Sequence, residues 1–266
     1  MMKTVHKYGQ ISKITMSNSL VYFWNFLSKN LFFAFIMFIY LMLWNTIYGA
    51  KGEVVGGLTL NGMIWYLVFT ELVTLSRTDL HNQVNDDVKS GNIAYLLNKP
   101  YHYVFYCFSY FVGEIGMRLL TNGIIGLVVG FLYAGPLAGF RLVQLPFVIL
   151  SLLLGCAINF MIYLCLALTA FWFEENNAFF WIYSKLIFTL GGMLMPLELF
   201  PQWLQKLSHY LPFAYVTYVP ARLAVDFSFG TLARQLPVQV LYLVVFFLLA
   251  MTLYRKGVRN LNVNGG

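Results

Sequence analysis

Six apolar runs separated by polar breaks constrain this chain more than any other feature in it. They cover Leu31 to Tyr48, Leu58 to Leu75, Tyr103 to Tyr133, Leu145 to Phe173, Ala178 to Met195 and Val238 to Tyr254. A helix needs about 17–25 predominantly apolar residues to cross a hydrocarbon core ~30 Å thick, and each run is long enough. In lipid the backbone must satisfy its own hydrogen bonds, so runs of this length are expected to be helices. The chain is 60% hydrophobic and only 10% charged, whereas a soluble domain carries about a quarter charged residues. The expected fold class is therefore all-α integral membrane, with six transmembrane helices in a single domain over residues 1–266.

The polar break from Arg77 to Pro100, RTDLHNQVNDDVKSGNIAYLLNKP, is the densest cluster of Asp, Asn and Lys in the sequence. Thr78 suits a helix cap ahead of Leu80, Val84 and Val88, which recur every four positions. Asp79 falls in the first turn, Lys89 in the last and Gly91 just beyond. A second apolar patch, Ile93, Ala94, Leu96 and Leu97, ends at the turn Asn98-Lys99-Pro100. A loop that merely joins two spans would carry fewer apolar residues, so this one reads as a docking surface. Its candidate contact residues are Asp86, Asp87, Gly91, Asn92, Ile93, Leu96, Leu97 and Pro100.

Six crossings place both termini on one side of the membrane. That side would carry Lys3, Lys7, Lys13, Lys29, Arg77, Lys89, Lys99, Arg255, Lys256 and Arg259, and the other Lys51, Arg141, Lys206, Arg222 and Arg234. Ten basic residues against five assign the termini and the polar break to the cytoplasm by the positive-inside rule. The basic start lacks the short apolar run and cleavage site of a signal peptide, so the first span is expected to be a retained anchor. Ahead of it, Val5 to Tyr22 places Tyr8, Ile11 and Ile14 at three-residue steps among Lys7, Ser12, Lys13 and Ser17. That pattern fits an interfacial amphipathic helix within residues 1–25, with a frayed polar tail as the alternative. Trp24 and Trp44 fall where aromatic belts are expected. The third run exceeds one crossing and is expected to begin along the interface before turning in, and Glu174 to Asn177 forms a turn between spans four and five.

Residues 196–235 are too apolar for an ordinary external loop and too broken for one span. Pro201 suits a first helical position, Leu204, Leu207 and Leu211 follow on one face, and Pro212 is expected to stop that helix. Pro196, Phe200, Pro201, Trp203 and Pro212 thus mark short helices at the outer leaflet. Trp203, Tyr210, Tyr215 and Tyr218 are expected at headgroup depth.

Chemistry-bearing residues are sparse. Cys107, Cys156 and Cys165 lie in apolar runs without ligand spacing, and His6, His81, His102 and His209 are dispersed. No metal site or disulfide is expected. HExxH, GxSxG and GxxxxGK[ST] are all missing from the sequence, so ATP has no P-loop here. The net charge of +7 is scattered between spans rather than gathered into a basic stripe, which excludes nucleic acid as a partner. Glu114 and Arg118, four apart on the third run, share a helix face and can pair. Three roles are open for them: a structural ion pair, a part in translocation, or a position near the inner boundary. Glu71 and Lys185 read as structural, and Gly126 and Gly130 form a GxxxG that permits close helix approach.

Two stretches, KSGNIAYLLNKPYHYVFY (Lys89 to Tyr106) and AFWFEENNAFFWIYSKLIFTLGGMLMPLELFPQWLQKLSHYLPFAYVTYVPARLAV (Ala170 to Val225), resemble permease subunits of type 2 ATP-binding-cassette exporters. The nearest group is a bacterial family of short six-span permeases, and Pro196 to Pro201, Pro-x-x-Leu-Phe-Pro, is the more specific signature. The resemblance implies an elbow helix at the N-terminus, a coupling helix between spans two and three (77–100), and outer helices before span six. It also implies two permeases, identical or homologous, with two cytoplasmic ATPases that bind ATP and Mg, and outward transport across a bacterial plasma membrane. The chain itself would bind no cofactor. A membrane-embedded lipid-modifying enzyme and a regulatory or assembly subunit are the alternatives.

Overall fold

The computed structural model describes residues 2–21, 23–173 and 175–264. Tyr22 and Glu174, at the edges of two expected segments, lie outside the described residues, as do the side chains of Lys3, Trp24 and Lys29. The described residues are mostly helical, with one short hairpin. The chain begins with α1 (Met2–Val21) and α2 (Phe23–Lys51), and β1 (Val54–Val55) pairs antiparallel with β2 (Leu58–Thr59) before α3 (Leu60–Leu75). The polar break holds α4 (Leu80–Lys89) and α5 (Ile93–Leu97). Next come α6 (Tyr103–Ala134), α7 (Leu145–Leu168) and α8 (Asn177–Leu190). Three short helices, α9 (Gln202–His209), α10 (Pro212–Val216) and α11 (Tyr218–Val225), precede α12 (Phe229–Asn264).

Among the described residues four helical segments are long and apolar enough to cross a membrane: Phe32–Lys51, Tyr103–Ala134, Leu142–Phe171 and Phe229–Arg259. The second and fifth apolar runs form shorter helices, because the hairpin takes the first residues of α3 and α8 breaks at Gly191. Their 16 and 14 residues span only about 24 and 21 Å. What α3 lacks in length it recovers in burial. Met63, Tyr66, Thr70, Glu71 and Val73 have no exposed surface, and the helix packs against α2, α6, α7 and α11. It is the centre of the core, and α12 lies along α7 on the far side.

Glycines set two of these contacts. A Cβ at Gly130 would come within 2.7 Å of the Trp65 ring, and one at Gly126 within 2.8 Å of Val68. The GxxxG of α6 therefore seats that helix on α3. Earlier on α6, a Cβ at Gly113 would overlap the Ser12 carbonyl of α1. There the Ser12 hydroxyl donates to the Ser109 carbonyl at 2.7 Å, and the His102 amide donates to the Tyr8 hydroxyl at 3.0 Å. The face of α1 that packs on α6 carries Tyr8, Ser12 and Thr15, while Ile14 and Met16 stay exposed.

Several expectations change. The third run does not turn but forms one unbroken helix of 32 residues, about 48 Å long, because α1 packs along its first half. Trp44 is in the core rather than in a lipid-facing belt, 3% exposed beside Tyr48, whose hydroxyl pins the hairpin by donating to the Leu58 carbonyl at 2.8 Å. The broken segment ends at Phe229, since α12 accommodates Pro237 within its helix. Pro212 opens α10 rather than merely closing α9, because its missing N–H costs nothing at a first helical position.

Gly113→Val should push α1 off α6 and lower the thermal unfolding midpoint of the detergent-solubilised protein, overpacking of this kind costing about 1–3 kcal/mol. Gly116→Val, where a Cβ meets open space, should leave the midpoint nearly unchanged.

Candidate functional site

The polar break folds as a unit against the bundle. Leu80, Val84 and Val88 are buried and seat α4 on α7. Asp79, not Thr78, is the residue before the helix. Thr78 is buried, and its carbonyl lies 3.2 Å from Nδ1 of His81. Gly91 takes the left-handed conformation (φ +75) that lets the chain leave α4 and enter α5.

The candidate docking residues divide by burial. Ile93 has no exposed surface. Asp87 is nearly buried and accepts from Asn92 Nδ2 at 2.8 Å, with the Tyr103 hydroxyl 3.5 Å from its other oxygen. These two hold the loop together from inside. Leu96 and Leu97 are half-buried, while Asp86, Gly91, Asn92 and Pro100 are exposed. Beside them Tyr95 is 61% exposed, with the Lys99 ammonium donating to its hydroxyl at 2.6 Å. The apolar pattern marks Leu96 and Leu97 and gives no sign of Tyr95.

Arg118 joins this loop to α6. Its Nε donates to Glu114 at 2.9 Å, its Nη1 to the Arg77 carbonyl at 2.7 Å, and its Nη2 pairs with Asp79 at 3.1 Å. Glu114 and Arg118 lie about 24–30 Å from the far end of α6 at 1.5 Å per residue, close to one hydrocarbon thickness. The structure thus joins the pair to the loop, a link that spacing alone did not reveal.

A second tie runs through Arg77, whose Nη1 donates to the Tyr163 hydroxyl of α7 at 2.7 Å. Tyr163 stacks with Phe180 and meets Tyr183 edge-on at 4.9 Å, and Tyr183 donates to Asn159 at 2.8 Å. His81 packs 4.5 Å from the Tyr163 ring. Burial, and then the neighbouring Arg77 charge, hold the His81 pKa below the ordinary imidazole value. Periodicity could not find this cluster, which draws on three helices far apart in sequence.

On the opposite face of the bundle, α8 stops at Gly191 and the backbone continues irregularly to Pro196. The side chains of α3 and Thr217 take up the carbonyls freed there. Tyr66 donates to the Gly192 carbonyl, Thr70 to that of Met193 at 3.2 Å, and Thr217 to that of Gly191 at 2.6 Å. Pro196 and Pro201 flank the short turn that contains Glu198. Glu198 accepts from Tyr218 at 2.7 Å and pairs with Arg222 at 3.2 Å, and Arg222 also reaches Asp226 at 3.1 Å. The Phe200 carbonyl accepts from Gln205 at 2.7 Å. Trp203 and Tyr210 are exposed, but Tyr215 and Tyr218 are buried. Their hydroxyls reach His209 and Glu198 rather than headgroups.

Glu71 is fully buried between α2 and α3, with the Tyr40 phenol beside it, and Lys185 is exposed over the Trp181 ring at 5.3 Å. Among the described residues no group of His, Cys, Asp and Glu could hold a metal ion. Cys107, Cys156 and Cys165 are free and buried.

Several long apolar helices with a folded polar loop fastened across two of them define a multi-pass membrane protein. Residues 34–265 match the family described as ABC-2 family transporter protein, and the chain belongs to that family. It is a type 2 ABC permease, the membrane component of a transport system rather than a P-loop ATPase, and membership implies an ATP-binding-cassette partner. No curated protein matches it closely enough to serve as a relative.

Arg118→Gln should lower folded yield more than Glu114→Gln, because it strands a part-buried carboxylate and releases the loop together. Removing one member of a buried pair costs about 3–5 kcal/mol, whereas Arg118 without Glu114 keeps Asp79. Equal yields would contradict this arrangement. Proteolysis of the 77–100 loop should also depend on pH. Docking lowers the His81 pKa, so the undocked loop takes up its proton first, below about pH 6.5. Docking should therefore be strongest above that value and weaken as pH falls, with His81→Gln flattening the profile.

Proposed function

We propose that this chain is the membrane-spanning subunit of an ATP-driven exporter in a bacterial plasma membrane. Two permeases would form the pathway, and two cytoplasmic ATPases carrying ATP and Mg would dock on the loop at 77–100. In this reading α3 and α8 complete six crossings. Helix α3 does so as a short span sheathed in protein, and α8 continues through the Gly191–Pro196 bend, whose satisfied carbonyls make irregular backbone tolerable at membrane depth. Both termini and the loop are cytoplasmic, α1 is the elbow helix at the inner interface, and α9 to α11 lie at the outer leaflet.

The observation that carries the proposal is Arg118, which fastens the start of the loop to a membrane-crossing helix through Asp79 and the Arg77 carbonyl. A push on α4 and α5 would reach α6 through that guanidinium and α7 through Arg77 and Tyr163. Glu114 and Arg118 then belong to the inner boundary, as a structural pair whose task is to transmit motion. The docking surface is the exposed side of the loop, from Asp86 through Gly91 and Asn92 to Tyr95, with Leu96 and Leu97 at its base. Asp87 and Ile93 support it from beneath.

Ala94→Asp with Tyr95→Asp should leave folded yield unchanged and release the partner ATPase during co-purification, since a few desolvated anchors dominate such contacts. Retention of a full-strength complex would contradict docking here. In a background lacking the three cysteines, Asn92→Cys should resist a membrane-impermeant thiol reagent in intact cells. Ready labelling would overturn the orientation.

A further inference from the structure

An apolar cavity of about 490 Å³ lies between α3, α6 and α7, bordered at one end by Pro136, Leu137 and Phe140. We infer that it is a binding site for one acyl chain of an anionic phospholipid from the leaflet on the side of the 135–144 loop.

Five observations support this. The lining is almost wholly hydrocarbon and aromatic, with Trp65 and Phe69 from α3 and Ile149 from α7, so it offers an alkyl chain nothing polar to compete with and a headgroup nothing to bind. The volume falls within the ~300–1,000 Å³ of ordinary ligand sites. Along α6 the cavity extends from Leu119 to Phe131, about 18 Å at the helical rise, against about 15 Å for half of a hydrocarbon core. A single extended chain entering at the 135–144 end would therefore run past the midplane toward Arg118. The bordering loop is held in place, because Trp65 Nε1 donates to the Gly135 carbonyl at 3.0 Å and Asn61 Nδ2 to the Pro136 carbonyl at 3.1 Å. Arg141, exposed and next to the lining residue Phe140, supplies positive charge at that end for a phosphate.

Gly123 gives the site its width. It lines the cavity, and a Cβ built there meets nothing within 4 Å, so a leucine would enter the cavity without clashing. The same change would also favour the helix.

The test uses the purified full chain in detergent with trace phosphatidylglycerol carrying a diazirine on its acyl chain, followed by peptide mapping. Wild type should be labelled on the α6 and α7 segments that line the cavity. Gly123→Leu should abolish most of that label, because the added side chain takes up the space that the acyl chain would fill. Gly116→Leu, the same substitution on the same helix outside the cavity, should not. Equal labelling of wild type and Gly123→Leu would mean ordinary boundary lipid and overturn the site. Unlabelled phosphatidylglycerol should compete better than phosphatidylcholine, and Arg141→Gln should erase that difference. Equal competition in wild type would overturn the anionic assignment.

Discussion

The guanidinium of Arg118 is the interaction on which the account of this permease depends. A part-buried cation is costly unless its donors are filled. Here they are filled by groups from two elements: Glu114, one turn away on the same helix, and Asp79 with the Arg77 carbonyl, from the polar loop. Self-satisfaction within α6 would have left the loop free. Because Arg118 needs the loop to fill its remaining donors, the loop is part of the bundle. Hydrogen bonds to charged groups are also the directional kind, worth more than neutral ones and less tolerant of misalignment.

The same rule operates at the opposite face with neutral groups. Breaking α8 after 14 residues frees carbonyls in apolar surroundings, where each unpartnered group costs several kcal/mol. Tyr66, Thr70 and Thr217 take them up. Helix α3 therefore has two duties: it fills the centre of the core and supplies the hydroxyls that permit irregular backbone beside it. At the other end of α3, Ser76 receives a hydrogen bond from Asn122 of α6 at 3.0 Å, so the polar loop begins from a fixed point.

Much of this was legible in the sequence. Helix α6 begins at the expected Tyr103, and the periodicity of Leu80, Val84 and Val88 identifies the buried face of α4. The i,i+4 spacing of Glu114 and Arg118 yields their pairing, since a helix makes such neighbours unavoidable. What could not be read is whatever depends on three elements meeting. Apolar runs do not reveal that α3 is wrapped by protein and short, nor that the polar face of α1 packs on α6 through Ser12 and Gly113. Tyr215 and Tyr218 look like interfacial residues by type, but their hydroxyls find partners inside the protein, and composition carries no sign of that. The i,i+4 pair Arg222 and Asp226 could have been found by the rule that found Glu114 and Arg118. Its third partner, Glu198, could not.

The claim that the loop and α6 move as one body is tested most directly by a distance across their junction. Spin labels at the exposed positions Asn82 on α4 and Leu120 on α6 would be measured by pulsed electron resonance in the complex with its ATPase, without nucleotide and with ATP trapped. The account expects one narrow distance that is the same in both states, and a broadened one when Arg118 is replaced by Gln. A wild-type distance that shifts by several ångströms on ATP binding would contradict it.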